Sequence, residues 1–452
     1  MDRGPPIVYH LLMIFSRYGS FTGGIDLTDD KDRTIAAPIR PCRTPSRLRV
    51  PLAPCGQAPA ECVVSVGQQV AAGEKIAAAA DESAVDVFAP LAGTVSAFTS
   101  VTVAGAHGRA VSPAVELTGL SEANGIDRPE EVFDWRAADA GTLRSRIASS
   151  ALTTYREGLE PLARWLGRAR ERRCGVLIAN VMEDQPYVTA AHRLMVEHGS
   201  DVLQGLAILA RAIEAGKVFL VAERRRTGEY RGTARAAELH GIEQVALPHR
   251  YPTGEDAILV KILMRREVPG GGGTMEVGAA VVGASACLAV YQCVACGLPA
   301  TGRVVTVSGE RVAEPGNYYV PFGEACLELA GDVMPPVIHG GPMTGLDCMA
   351  DMVVGPATDA VLAVEAAETP TAGPCIRCAW CRDHCPTRLN VSAMNDAFEL
   401  AQIGRAERLG AMACVECGVC SYVCPARLPL TQRMKQLKRA IRSREAAATR
   451  TP

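Results

Sequence analysis

The chain has 452 residues, a formal net charge of -2 and 48% hydrophobic residues. That length holds several domains, each able to bury a core, and the near-neutral charge excludes the electrostatic footprint of a nucleic-acid partner or of an anchor on an acidic membrane. The 17 cysteines, many of them in apolar runs, argue for a reducing cytosol rather than for a disulfide scaffold.

Residues 1 to 43 are an N-terminal segment. Its apolar run "IVYHLLMIF", residues 7 to 15, is too short to cross a bilayer and carries His10. No basic start with a small-residue cleavage site marks a signal peptide. Met13 is an alternative initiator, which would place residues 1 to 12 upstream of the true start. Residues 44 to 122 read as short strands between Gly, Pro and Ala turns. Two similar units, ending in "APLAGTV", are similar to the biotinyl/lipoyl type of barrel-sandwich domain. Such domains carry a prosthetic arm on a lysine at the hairpin tip. Here the tip, near "DESAVDV", has none, and Lys75 falls in an ordinary turn. A structural β domain is expected.

Residues 123 to 300 begin polar and helical, then alternate. "CGVLIAN", "KVFLVAE" and "QVALP" are predicted strands, with helices over "TAAHRLMVEHGSDVLQGLAILARAIEAG", residues 229 to 240 and "GEDAILVKILMRREVP". Strands alternating with helices predict an α/β domain with a parallel sheet covered on its faces. Four glycines at 270 to 273 are either a close approach to a ligand or a turn. Residues 301 to 360 read as strand, turn, strand and short helix, which suits a β-grasp module of the soluble ligand-binding type. Residues 365 to 445 form a helical ferredoxin-type domain, and the last residues a basic, exposed helix that frays.

That final domain carries the chemistry. "CIRCAWCRDHCP" puts cysteines at 375, 378, 381 and 385, and "CVECGVCSYVCP" puts them at 414, 417, 420 and 424. Two copies of C-x2-C-x2-C-x3-C-P match the spacing that holds a pair of [4Fe–4S] clusters. Three cysteines on one tight loop serve one cube, and the fourth reaches the other. Cys375, Cys378, Cys381 and Cys424 are therefore assigned to one cluster, and Cys414, Cys417, Cys420 and Cys385 to the second. Structural zinc needs neither the third cysteine nor the proline, and disulfides need an oxidising compartment. Elsewhere, Cys293 and Cys296 form a lone C-x2-C inside an apolar helical stretch and read as buried structural thiols. "RERR" and "ERRR" read as solvated helix faces.

The order of modules resembles RnfC, the peripheral subunit of the Rnf electron-transport complex, and its cobalamin-reductase relative PduS. The resemblance rests on "SFTGGID", on "YPTGEDAILVKILMRREVP" at 251 to 269 and on "RVVTVSGERVAEPGNY" at 303 to 318. It rests also on "HGGPMTG" at 339 to 345 and on both cysteine motifs. It implies that electrons pass between NADH, FMN and the clusters, with an α/β part like the flavin- and NADH-binding subunit of complex I. It also implies redox partner proteins in a membrane complex, reached from the cytoplasm without a membrane span of this chain's own.

Three departures argue against FMN and NADH. The family's glycine-rich flavin loop, G-G-A-G-F-P-T, lets backbone amides approach phosphate, but here reads "IASSALTTYREGLEP". Its N-G-A-E-C-E-P-Y segment is "NVMEDQPY", which keeps Asn180 and Glu183 as a residual FMN site but replaces an acid by Gln185. Its N-V-G-T is "GASA" at 283 to 286. The expected protein is thus an iron–sulfur electron-transfer subunit that receives electrons from one partner and passes them to another, without acid–base catalysis. The alternatives are an NADH-oxidising flavin/iron–sulfur reductase and a non-catalytic assembly subunit.

Overall fold

The computed structural model describes residues 18 to 450, except 55, 106–107, 124, 127–129, 155–158, 231, 335 and 366–370, and only the backbone of 448–450. The alternative start at Met13, the segment 1 to 12, Cys55 and the centre of the altered flavin loop, "YREG", lie outside the described residues.

The first β domain packs two small sheets face to face. One runs in the order Arg47–Pro51, Gly108–Thr118, Gly93–Gly105, Gln69–Val70, and the other Glu61–Cys62, Lys75–Ala78, Val87–Phe88. Inward residues of both, among them Leu48, Val50, Ile76, Val95, Val115 and Leu117, form one core. Within Val115-Glu116-Leu117 the outer two are buried and the middle one is not, the period of two that one buried face imposes. Lys75 is ion-paired to Asp86.

The central sheet runs Ile242–Leu247, Lys217–Glu223, Val176–Asn180, Ala279–Gly283, all parallel. Val218 to Glu223 is buried throughout, as both faces are covered. One face carries the helices Ala190–Ile213 and Ala284–Val294, and the other carries Asp256–Met264. The chain moves outward over its first three strands, then returns to lay the fourth beside the first. The strand order therefore reverses between Val176–Asn180 and Ala279–Gly283, where a crevice opens at the carboxyl ends.

A six-stranded mixed sheet follows, in the order Ile39–Pro41, Gly316–Pro321, Gly302–Ser308, Ala360–Leu362, Ile338–His339, Leu346–Asp347. Its first strand comes from the N-terminal segment and pairs parallel to Gly316–Pro321.

The C-terminal domain repeats itself at an offset of 39 residues. The short helices Trp380–Asp383 and Val419–Tyr422 correspond. So do the left-handed positions Arg377 and Glu416, Ala379 and Gly418, and Arg388 and Arg427. The tail corrects the expectation of an exposed helix over its first half. Leu430–Arg450 is one helix, and its Met434, Leu437 and Ile441 are fully buried in the core that holds the cysteines. Arg439 is exposed on the side away from that stripe, as an amphipathic helix requires, while Lys438 is buried beside it. No helix among the described residues is long and apolar enough to cross a membrane.

Candidate electron-transfer site

The fold brings the cysteines together in two crossed sets. Cys375, Cys378 and Cys381 line one small cavity with Cys424, which arrives from the second motif, and Leu428 and Leu430 close it. Around Cys417, the thiols of Cys414, Cys420 and Cys385 are near enough to act on its charge. Burial first, then these neighbours, push the Cys417 thiol well above its ordinary range, and burial pushes Cys414 up to about 12. Thiols held out of water as Cys414 and Cys417 are resist ionisation unless a cationic core meets them. The residues present fit iron–sulfur cores in this respect. Among the described residues no three His, Cys, Asp or Glu converge tightly enough to share a single ion, whereas thiols standing around an opening suit the corners of a cube.

Donors already face the sulfurs. The amide of Leu389 donates to Cys385 Sγ (3.4 Å) and that of Glu416 to Cys414 Sγ (3.4 Å). The left-handed turn at Glu416, φ 57°, lies inside that loop. Thr387 Oγ1 lies 3.5 Å from Cys385 Sγ, and Thr431 Oγ1 3.6 Å from Cys420 Sγ.

Cys414 and Cys417 of the second set face a cleft of about 1200 Å³ at the carboxyl ends of the parallel sheet. One wall is Asn180, Glu183, Asp184, Gly283 and Ser285, and the other includes Cys414, Cys417 and Lys438. Asn180 is buried, and every polar atom of its amide is used. Nδ2 donates to Gly254 O (2.8 Å) and Asp256 Oδ1 (3.0 Å), and Oδ1 accepts from the amide of Met182 (3.0 Å). Glu183 accepts from the amides of Ala191 (2.7 Å) and His192 (2.9 Å), at the start of the long helix. That is where a helix dipole favours a carboxylate, yet burial outweighs it and raises the Glu183 pKa. The structure thus places Asn180 and Glu183 on the cleft wall with their polar atoms engaged by the backbone around them. Gln185 also lines the cleft and is held there by the loop 339 to 345, donating to Thr344 Oγ1 (2.9 Å) and accepting from the amide of Met343 (3.1 Å).

None of the described residues 147 to 161 lines the cleft. Thr153 and Pro161 bridge, and the Thr154 amide donates to Glu160 O (2.8 Å), closing the stretch on itself. The described lining carries nine Asp and Glu against seven Arg and Lys, a balance that does not favour a phosphate.

Three sequence runs prove to be the seam between cleft and cluster domain. The amide of Gly24 donates to His384 O (2.8 Å), and Arg388 Nε donates to Thr22 Oγ1 (2.8 Å). Tyr251 donates its hydroxyl proton to Cys417 O (2.6 Å). The amide of Gly271 donates to Met412 O (2.9 Å), so Gly270 and Gly271 pack on the cluster domain while Gly271 to Gly273 rim the cleft. Lys438 Nζ donates to Cys414 O (2.7 Å) and pairs with Glu416 at 2.6 Å. Tyr251 and Lys438 were missed by sequence reasoning. No local signal marks them, since their partners are 166 and 24 residues away. On the far side, Cys378 is exposed, beside exposed Ile376 and Trp380. Cys293 and Cys296 are buried, and burial raises both thiols, Cys293 to about 12.

The fold and site define a multidomain α/β iron–sulfur protein in which a dicluster domain closes one side of a flavin-domain cleft. Three family patterns match in the same order: "RnfC Barrel sandwich hybrid domain" over residues 19–118, "Nuo51 FMN-binding domain" over 158–292 and "4Fe-4S dicluster domain" over 370–439. The FMN-binding match begins only near the end of the altered loop.

A component of the ion-translocating oxidoreductase complex of Rhodobacter capsulatus is 30% identical over 459 residues, covering 97% of this chain and 86% of its own length. The chain belongs to this RnfC family. The corresponding component of a proton-translocating ferredoxin:NAD(+) oxidoreductase complex from Clostridium ljungdahlii is 28% identical, over 83% of this chain and 84% of its own length. Its counterpart in the ion-translocating oxidoreductase complex of Klebsiella pneumoniae is 31% identical over 82% of this chain, which spans half of that relative's length. Among solved structures, an NAD+-reducing [NiFe]-hydrogenase in the H2-reduced state has a TM-score of 0.47 at 17% identity, over 70% of this chain and 63% of the other.

Proposed function

We propose that this chain is the iron–sulfur electron-transfer subunit of an Rnf-type complex and relays electrons between partner redox proteins. The observation that carries the reading is the crossed grouping of the eight cysteines. Cys375, Cys378, Cys381 and Cys424 hold an outer [4Fe–4S] cluster, and Cys385, Cys414, Cys417 and Cys420 an inner one beside the cleft. The clusters supply one-electron transfer, and the chain supplies burial, sulfur-directed donors and the Lys438 ammonium, which together set their potentials. Partners sit at the cytoplasmic face of a membrane complex. The domain limits in this reading are N-terminal segment to 43, barrel sandwich to 122, α/β to 300, β-grasp to 360 and dicluster domain 365 to 445, with the strands Ile39–Pro41 and Ala360–Leu362 shared into the β-grasp sheet across the limits at 43 and 360.

The NADH and FMN function is degraded in this reading. The absence of the described residues of 147 to 161 from the cleft wall, the engaged side chains of Asn180 and Glu183 and the acidic lining support that. The intact cleft and the FMN-binding match favour a second reading, an NADH-oxidising flavin/iron–sulfur reductase. One anaerobic experiment on the cluster-loaded chain, incubated with FMN and then desalted, separates the two. The relay reading expects cluster absorbance bleached by dithionite, unchanged by NADH, with no flavin band retained. Bleaching by NADH with a retained flavin would establish the reductase instead.

A further inference from the structure

Outside the cleft, the mixed sheet carries a second group of reactive side chains. Cys326 opens the short helix Cys326–Ala330 and is fully buried, and Cys348, just after the strand Leu346–Asp347, is half-buried. Backbone contacts bring them together. The Cys326 amide donates to Met352 O (2.9 Å), and the Met352 amide donates to Met349 O (3.0 Å), a tight turn that folds Cys348 back over the helix start. The two thiols share one apolar cluster and interact with each other. Two residues before Cys326 stands Glu324, 5% exposed, whose Oε2 has no hydrogen-bond partner among the described residues. An unsatisfied buried carboxyl oxygen costs stability, and none of the electron-transfer chemistry uses it.

We propose that Cys348 and Cys326 form a thiol–disulfide exchange site for a low-molecular-weight disulfide, with Glu324 as the proton acceptor for Cys326. The half-buried thiol attacks and the buried one resolves. The Cys348 thiolate attacks one sulfur of the incoming disulfide. The S–S bond breaks, a mixed disulfide forms on Cys348, and the first thiolate leaves and is protonated by water. Cys326 then gives its proton to the Glu324 carboxylate and attacks Cys348 Sγ; the mixed disulfide breaks, and the second thiolate leaves and takes up the proton that Glu324 gained. Two thiols of the chain are oxidised and one disulfide is reduced to two thiols, so electrons balance. The charge distribution suits these roles. The hydrogen bond from Cys326 holds the Cys348 thiol below its ordinary range, while that same bond and burial push Cys326 up. Burial pushes the Glu324 carboxyl up to about 8, so its ionised form grows as pH passes from 7 to 9. The bond would tie the strand that follows the 339 to 345 loop to the helix start, stiffening the loop that Gln185 holds.

The test is anaerobic incubation of the cluster-loaded chain in glutathione buffers of increasing disulfide fraction, with acid quench, alkylation and peptide mass mapping. A Cys326–Cys348 cross-linked peptide that grows with disulfide fraction is expected, with cluster absorbance unchanged. Cys326→Ser should stop at glutathione on Cys348, and Cys348→Ser should leave Cys326 unmodified. Glu324→Gln should slow ring closure by about a hundredfold, the size of a lost general base, without slowing glutathione addition, and should abolish the rise in closure rate from pH 7 to 9. If both cysteines of the unmutated chain stay alkylatable at every ratio, or Cys42 is the linked partner, the proposal is overturned. Normal closure in Glu324→Gln would overturn the assignment of Glu324.

Discussion

At the scale of the residue, the site is built from side chains that hold rather than react. Asn180 fastens Gly254, Asp256 and Met182 across the carboxyl ends of the sheet. Asn180→Ala strands the Met182 amide in a buried place and removes one donor from Asp256. A loss of about 2–3 kcal/mol is expected in urea unfolding, the usual cost of a stranded buried polar group. Lys438 is 9% exposed and places its charge on the carbonyl of Cys414. A cation near a centre that gains an electron favours the reduced form. Lys438→Met should therefore lower the potential of the inner cluster and leave the outer one in place, read by redox titration followed by electron paramagnetic resonance. The loss of Glu416's partner acts in the same direction.

At the scale of the element, close approach decides what can pack. The helices Ala190–Ile213 and Ala284–Val294 touch through Gly205, where a Cβ would overlap the carbonyl of Cys287. Gly205→Ala must push the helices apart, and a loss of about 1–3 kcal/mol is expected in thermal unfolding. The hydrophobic period of Ala190–Ile213 was legible in the sequence, but the identity of the facing helix was not, because periodicity names a face and not its neighbour. The C-terminal helix shows the reverse case. Its many basic residues hid the stripe of Met434, Leu437 and Ile441, all fully buried. Leu437→Ala should cost about 2–5 kcal/mol, as truncations in a packed core do, and should show as cluster loss during gel filtration.

At the scale of the whole molecule, the cluster domain is held by runs from three distant places. Thr22 to Gly24, Tyr251 and Gly271 all bond it. Its own core is small and consists partly of the cysteines, so metal and fold are linked there. Removing iron with a chelator should expose residues 371 to 450 to protease first, while the parallel sheet and its two helical faces persist. Hydrogen exchange with and without iron would show this as lost protection confined to the cluster domain and its three contact runs. Equal loss across the sheet would mean that the domains unfold as one.

The sequence by itself announced the two cysteine loops, since their spacing is local and reads directly at 375 and 414. It also determined the strand and helix types, because 2.0 and 3.6 periods are local too. Tertiary structure alone decided that Cys414 and Cys417 face the cleft, that Asn180 and Glu183 spend their polar atoms on the groups around them, and that the strand Ile39–Pro41 completes a sheet with residues near 318. These facts depend on which surfaces meet. That choice is made by burial and hydrogen-bond satisfaction summed over the whole chain, which no local window of sequence contains.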